Sequence, residues 1–253
     1  MKRRLFLKQT GVVATLLTLS NMALPHSIEK NLRHSAEKKM TLKKNDIVLF
    51  TGDSITEGFR QYKSYRSANS IRALGNGYVQ LAASKLNYSF PNNKLKIYNT
   101  GVSGDTIMKI LARLQSHVID LKPTVVSILI GVNDFNVAFM KYGKGTPDIY
   151  EIQYTELLTK IKSSLPDVRF VLGEPYALKG AREKIDAWYP EFISYRDVAR
   201  RIAKQFNAIF LPYQSIFEEA ADNAPKLHFS TDGIHPSLAG IGLMAEAWYS
   251  CID

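Results

Sequence analysis

Polar and apolar positions alternate along this 253-residue chain in two distinct rhythms. Short apolar runs bounded by polar residues read as buried strands at Asp46 to Thr51, Lys94 to Tyr98, Thr124 to Ile130, Arg169 to Leu172 and Ala208 to Leu211. The third run, Thr-Val-Val-Ser-Ile-Leu-Ile, is the richest in β-branched residues. Between the runs the apolar period lengthens to that of a helix, near residues 77–87, 106–120, 150–164, 191–206 and 238–250. Ser103 or Asp105 is a candidate cap for the second of these, and Pro123 separates it from the third strand. Strands alternating with helices predict an α/β fold with a parallel sheet covered on both faces. The long connections are residues 59–76 and 174–190, and long loops in compact domains are often functional.

Residues ahead of the first strand do not share this pattern. Lys2, Arg3 and Arg4 open the chain, and Gly11 to Leu24 is largely apolar and uncharged. That stretch falls short of the roughly 20 apolar residues a membrane span requires, so no stable span is expected. The arrangement is that of an export signal over residues 1–27. Arg3-Arg4-Leu5-Phe6-Leu7-Lys8 resembles the twin-arginine export motif, which implies a periplasmic or extracellular destination. Residues 28–45 are read as a linker and 46–253 as the folded domain.

Charge then changes the picture less than its total suggests. Of the formal +10, the leader supplies +4 and residues 26–45 another +4, leaving +2 for the body. A nucleic-acid surface needs a basic stripe on the folded domain, so no nucleic-acid partner is expected. The single cysteine, Cys251, forbids an internal disulfide and lies far in sequence from every polar cluster, as a spectator thiol would.

In a parallel α/β sheet, ligands bind beyond the carboxyl ends of the strands, near a topological switch point. Gly52-Asp53-Ser54 follows the first strand, Asn99-Thr-Gly101-Val-Ser-Gly104 the second, and Gly131-Val-Asn133-Asp134 the third. Gly173-Glu174-Pro175 follows the fourth, and Asp232-Gly-Ile-His235-Pro236 lies near the chain end. Acyl transfer needs a nucleophile, a base, a group orienting the base, and oxyanion donors. Ser54 at a strand-to-helix turn suits the first role, His235 the second, and Asp232, three residues earlier, the third. The Ser54 and Gly104 N–H groups and the Asn133 amide suit the fourth. Each fragment alone is ordinary turn, cap or hydrogen-bonding material. Their occurrence together, each after its proper strand, favours a catalytic site.

These blocks resemble those of the GDSL/SGNH hydrolase family. Gly52-Asp-Ser54-Ile-Thr56 is similar to its serine block, Gly101-Val-Ser-Gly104-Asp105 to its glycine block, Gly131-x-Asn133-Asp134 to its asparagine block, and Asp232-x-x-His235-Pro236 to its terminal block. The resemblance spans residues 52–236. It implies a three-layer α/β/α, flavodoxin-like sandwich. It implies catalytic Ser54, Asp232 and His235, and an oxyanion hole of Ser54, Gly104 and Asn133. Leu74 to Val79 and Gly173-Glu-Pro-Tyr176 further resemble carbohydrate acetylesterases of the xylan-esterase type. The expected partner is therefore an acylated carbohydrate or another small acyl ester. A lysophospholipase or thioesterase acting on lipid acyl groups is the alternative. No cofactor is expected, and Asp232-x-x-His235 alone supplies too few ligands for a metal.

Other residues carry two readings each. Glu174 is a candidate substrate contact or a buried structural carboxylate. Trp188, with Tyr189, could stack on a sugar ring or serve packing. His228 lacks the aspartate partner that His235 has, and His117 falls in a helical pattern. Asp53 and Asp134 are expected to support turns, and Arg60, Lys63 and Arg66 to form a solvated basic face. The aromatic and basic connection 59–73 is expected at the mouth of the site.

Overall fold

The structure is a computed structural model and describes residues 38–253 apart from Asn223. The export-signal reading falls outside the described residues. Five strands form one parallel sheet: β1 (Ile47–Gly52), β2 (Lys96–Asn99), β3 (Val125–Leu129), β4 (Arg169–Gly173) and β5 (Ile209–Leu211), in the order β2-β1-β3-β4-β5. All five predicted runs are strands. β3 is buried along its whole length, as its unbroken apolar run requires when both faces are covered.

Helices pack on both faces. Phe50 and Ser127 reach one layer: Phe50 stacks against Tyr78 and Trp248, and Ser127 Oγ accepts the Trp248 indole N–H at 3.0 Å. That layer is built on the helices Tyr78–Ser89 and Leu238–Tyr249, which pack on each other. The other layer joins the helices Ile107–Ala112, Pro147–Ser164 and Ile193–Gln205. The fold is thus the expected α/β/α sandwich.

Among the described residues, two helices longer than a single turn escape the sequence reading. Val132–Tyr142 starts directly at the end of β3, where Gly131 to Asp134 reads as a loop. Tyr213–Ala220 buries Tyr213, Ile216, Phe217 and Ala220, a helical spacing that Pro212 and the short length obscure. The expected helix 106–120 breaks at Arg113, whose φ of −110° and ψ of 11° leave the helical region.

Residues ahead of Asp46 also pack on the domain. Met40 and Leu42 are buried in the core. The Met40 N–H donates to Cys251 O at 2.8 Å and forms a parallel bridge with Ile252. Two apolar residues in a charged stretch give too little periodicity to reveal this. The connection after Ser54 closes the free edge of β2. The Asn69 N–H donates to Ile97 O at 3.0 Å, and its side chain bonds Ile97 N and Leu95 O at 3.0 and 2.8 Å. An exposed parallel edge would otherwise invite pairing with another chain.

Candidate active site

The chain leaves β1 to β2 on one side and reaches β3 on the other, so the carboxyl ends of β1 and β3 flank a switch point. Gly52 ends β1 there with φ of 156°, and a Cβ would stand 2.2 Å from Leu129 O. Only glycine allows this close approach. Asp53 then caps the one-turn helix Ser54–Glu57, its Oδ1 accepting the Ile55 N–H at 3.0 Å. Ser54 is the first helical residue, and its Oγ lies 2.9 Å from His235 Nε2.

His235 arrives on a loop that holds its own shape. The Thr231 N–H and Ser230 Oγ both donate to His235 O at 2.9 Å, and the Gly233 N–H donates to Ser230 Oγ at 2.8 Å. Asp232 Oδ1 accepts the Ile234 and His235 N–H groups at 2.9 and 2.8 Å. Its Oδ2 lies 2.8 Å from His235 Nδ1. The three-residue spacing thus turns the carboxylate back onto the imidazole. Burial pushes the Asp232 carboxyl up, but the hydrogen bonds from the His235 ring and from both backbone N–H groups outweigh it and hold it below its ordinary range. An ionised carboxylate only accepts, so Nδ1 carries the proton and the Nε2 lone pair faces the serine hydroxyl. Such a set can relay the serine proton.

The glycine segment runs beside this turn. The Thr100 N–H donates to Phe50 O at 2.8 Å and the Val102 N–H to Gly52 O at 3.0 Å, prolonging the β1–β2 pairing. Asn99 locks the two segments: its Nδ2 donates to Thr56 O and Leu74 O at 2.7 and 2.8 Å, while its Oδ1 accepts the Gly101 N–H at 2.9 Å. Gly104 has φ of +74° and nothing within 4 Å of where a Cβ would stand. Among the described residues neither the Ser54 nor the Gly104 N–H has a protein acceptor. Asn133, in the first turn after β3, donates one amide hydrogen to Asp105 O at 3.1 Å and keeps the other free. Asn133 Nδ2 thus ties the first turn of its helix to the segment that carries Gly104.

Residues 50–241 match the GDSL-like lipase/acylhydrolase family. The chain belongs to this family. It is a carboxylic ester hydrolase related to acetylxylan esterase. An acetylxylan esterase of Geobacillus stearothermophilus is 30% identical over 213 residues, 83% of this chain and 94% of its own. A GDSL-like lipase from Parabacteroides merdae superposes with a TM-score of 0.79 at 40% identity, covering 84% of this chain and 98% of its own. The crystal structure of Axe2, an acetylxylan esterase from Geobacillus stearothermophilus, gives 0.73 at 29% identity, covering 84% and 96%. Three further Axe2 structures are catalytic mutants, in which a serine, an aspartate and the histidine three residues after that aspartate are each replaced by alanine.

Two buried carboxyls, Asp53 and Asp134, lie at the serine turn and close to it. Burial raises Asp53 to about 7, against the pull of the Ile55 N–H, and the nearby Asp134 adds to the rise. Asp134 is raised to about 6, again by burial first. Each supports a turn as expected, Asp134 through Oδ1 accepting the Ile107 N–H at 2.9 Å. Each leaves its Oδ2 without a hydrogen-bond partner.

Both candidate substrate contacts, Glu174 and Trp188, are buried. Glu174 is 1% exposed and receives Arg196 Nε at 3.1 Å and the Gln214 N–H at 3.2 Å, with Arg200 3.5 Å away. A carboxylate this deep must be paired, and its partners join the end of β4 to the helices Ile193–Gln205 and Tyr213–Ala220. Trp188 is 2% exposed, tilted against Phe135 and Phe192 at 5.2 and 5.8 Å, so its faces are covered by protein. Tyr189 donates to Ala177 O within the same loop. His228 is exposed, and His117 stacks on Tyr65 at 4.4 Å. The Cys251 thiol is buried and pushed up to about 12, which leaves it inert. Arg60 departs from the solvated-face reading: it is 3% exposed and donates from Nε to Gly101 O at 2.7 Å. Asn99 was visible at the strand end but without a role, and its place before Gly101 was the available signal.

Proposed function

We propose that this chain is an exported serine esterase that removes short acyl groups, acetyl above all, from carbohydrates. Ser54 is the nucleophile, His235 the base and Asp232 its orienting partner. The 2.9 Å approach of Ser54 Oγ to His235 Nε2, backed by Asp232 at 2.8 Å, carries this reading. The catalytic mutants of Axe2 support it, because their aspartate and histidine have the spacing of Asp232 and His235.

Ser54 Oγ attacks the ester carbonyl carbon as Nε2 takes its proton. Ionised Asp232 steadies the imidazolium. The carbonyl oxygen becomes an oxyanion and is met by the Ser54 and Gly104 N–H groups and the free Asn133 amide hydrogen. Collapse breaks the bond to the sugar oxygen, which leaves with the proton from His235. Water then attacks the acyl-serine with His235 again as base, releasing the carboxylic acid and the serine hydroxyl. No cofactor takes part.

The acetyl and carbohydrate assignment is supported by the names of the acetylxylan esterase relatives. The leader, with Arg3-Arg4-x-Phe6-Leu7-Lys8, supports export by the twin-arginine route, to where polysaccharides are met. A fluorophosphonate probe tests the nucleophile: it is expected to label wild type and not Ser54→Ala, and label surviving in the variant overturns the assignment. An ester series tests the substrate. Acyl pockets discriminate by about 1–3 kcal/mol per methylene, so rates are expected to fall from acetyl to butyryl to octanoyl, with acetate released from acetylated xylo-oligosaccharides. Faster cleavage of octanoyl esters or lysophospholipids would instead establish the lipid-hydrolase alternative.

A further inference from the structure

We propose that Arg60 is a positioning residue, which aims the Gly104 N–H by anchoring the loop that carries it. The inference rests on the oxyanion role of Gly104 given above. Between Phe59 and Ser70 Arg60 alone is buried, while its neighbours Phe59 and Tyr62 are 87% and 46% exposed. Its side chain leaves the connection after the serine turn and runs inward to Gly101 O. The guanidinium carbon lies 4.7 Å from the centre of the Tyr62 ring. The Tyr62 hydroxyl in turn stands 3.5 Å from the Ser103 N–H.

The Gly104 carbonyl accepts Lys109 Nζ at 2.9 Å, but among the described residues the Gly104 N–H has no hydrogen-bond partner to aim it. Its direction is therefore inherited from the residues that flank it. Downstream, Asp105 is fixed three times: its N–H donates to Val102 O at 3.1 Å, its carbonyl accepts from Asn133, and its carboxylate accepts Arg113 Nε at 2.9 Å. Upstream, the Gly101 N–H is held by Asn99, and the Gly101 carbonyl is held by Arg60. A carbonyl and the N–H that follows it share one rigid peptide plane. The Arg60 bond on the carbonyl side and the Val102 N–H bond to Gly52 O at 3.0 Å on the other thus together fix the plane of the Gly101–Val102 peptide, from which the turn through Ser103 to Gly104 departs.

The energetics argue against a purely structural arginine. Arg60 Nη1 is buried without a partner, and no carboxylate forms a salt bridge with this guanidinium among the described residues. Burial lowers its affinity for the proton and the nearby Arg113 cation adds to this, partly offset by Tyr62, Glu57 and Asp105. A buried, incompletely paired cation is a poor route to stability, and apolar replacements of similar volume are often neutral or stabilising. What an apolar side chain cannot supply is the directed bond to Gly101 O.

The test separates chemistry from binding and folding. Arg60→Met is expected to lower kcat about 10- to 100-fold on acetyl esters, below the loss for removing an oxyanion donor outright. KM is expected to stay within about twofold, and Tm to be unchanged or raised, as uniform binding and folding do not depend on the bond. Arg60→Lys, which restores one donor, is expected to recover part of the lost kcat. Wild-type kcat in Arg60→Met, or a loss shared by kcat, KM and Tm in both variants, overturns the positioning role. If Arg60→Met does not fold, Arg60→Lys and Arg60→Gln carry the same kcat-against-KM comparison. Ser54→Ala and Asn133→Ala run alongside: if they keep full activity, the site reading itself has failed, whereas their inactivity beside a fully active Arg60→Met overturns the Arg60 proposal alone.

Discussion

Two residues around Ser54 have distinct and separable consequences. Asn133 gives one amide hydrogen to Asp105 O, and the proposed mechanism assigns the other to the oxyanion. Asn133→Ala is expected to lower turnover about 100- to 1,000-fold with a smaller change in KM, as loss of a single oxyanion donor does elsewhere. Steady-state rates on an acetyl ester check this, and wild-type turnover removes Asn133 from the hole. Asp53 affects stability instead. Its folded pKa is raised from 3.8 to about 7, so between those values the native state binds more protons than the unfolded chain. The slope of stability with pH is then negative: its contribution falls as pH rises from about 4 to 7 and levels off above. Asp53→Asn keeps the oxygen that caps Ile55 and removes the titration. Its Tm relative to wild type is expected to rise from pH 4 to pH 8, and a difference that stays constant across that range refutes the argument.

At the scale of elements, the site is held by strand ends and helix starts. Glu174, at the end of β4, shows how such a junction is secured. Arg196 reaches it from one helix and the Gln214 N–H from another. Removing one partner of a buried pair costs about 3–5 kcal/mol, because the other is left uncompensated. Glu174→Ala is therefore expected to lower the urea midpoint strongly while leaving KM for acetyl esters near wild type. A raised KM at unchanged stability would return Glu174 to the substrate. The same element logic explains Trp188. The loop after β4 does not offer the face of Trp188 to solvent; it packs Trp188 and Phe192 against Phe135 of the helix Val132–Tyr142. That helix also carries Asn133, so the cluster steadies the proposed oxyanion donor.

Across the whole molecule, Ser54 and His235 lie 181 residues apart in sequence and meet only when the sheet is complete. The terminal loop reaches the switch point because the helix Leu238–Tyr249 packs beside Tyr78–Ser89, the helix following the serine turn. Among the described residues no helix is long and apolar enough to cross a membrane. The export proposal stands on the leader sequence. Arg3→Lys together with Arg4→Lys is expected to leave the protein in the cytoplasm, as fractionation and immunoblotting would show. Unchanged export of the double variant removes dependence on the arginine pair.

By itself the sequence determined the strands, the sandwich class and the order of the four blocks. Strand and helix periods are local properties of which side chains must be buried. The Asp232–His235 pairing was legible for the same reason, since three residues of one loop close it. Burial of individual side chains was decided only by the tertiary structure. Glu174, Trp188 and Arg60 have residue types that suit a substrate site or a solvated surface, and all three are buried. The helices Val132–Tyr142 and Tyr213–Ala220 were hidden by turn residues at their starts. Met40 and Leu42 joined the core through contacts with the opposite end of the chain. Contacts between distant segments leave no period in the sequence, because each depends on a partner that only the completed fold brings near.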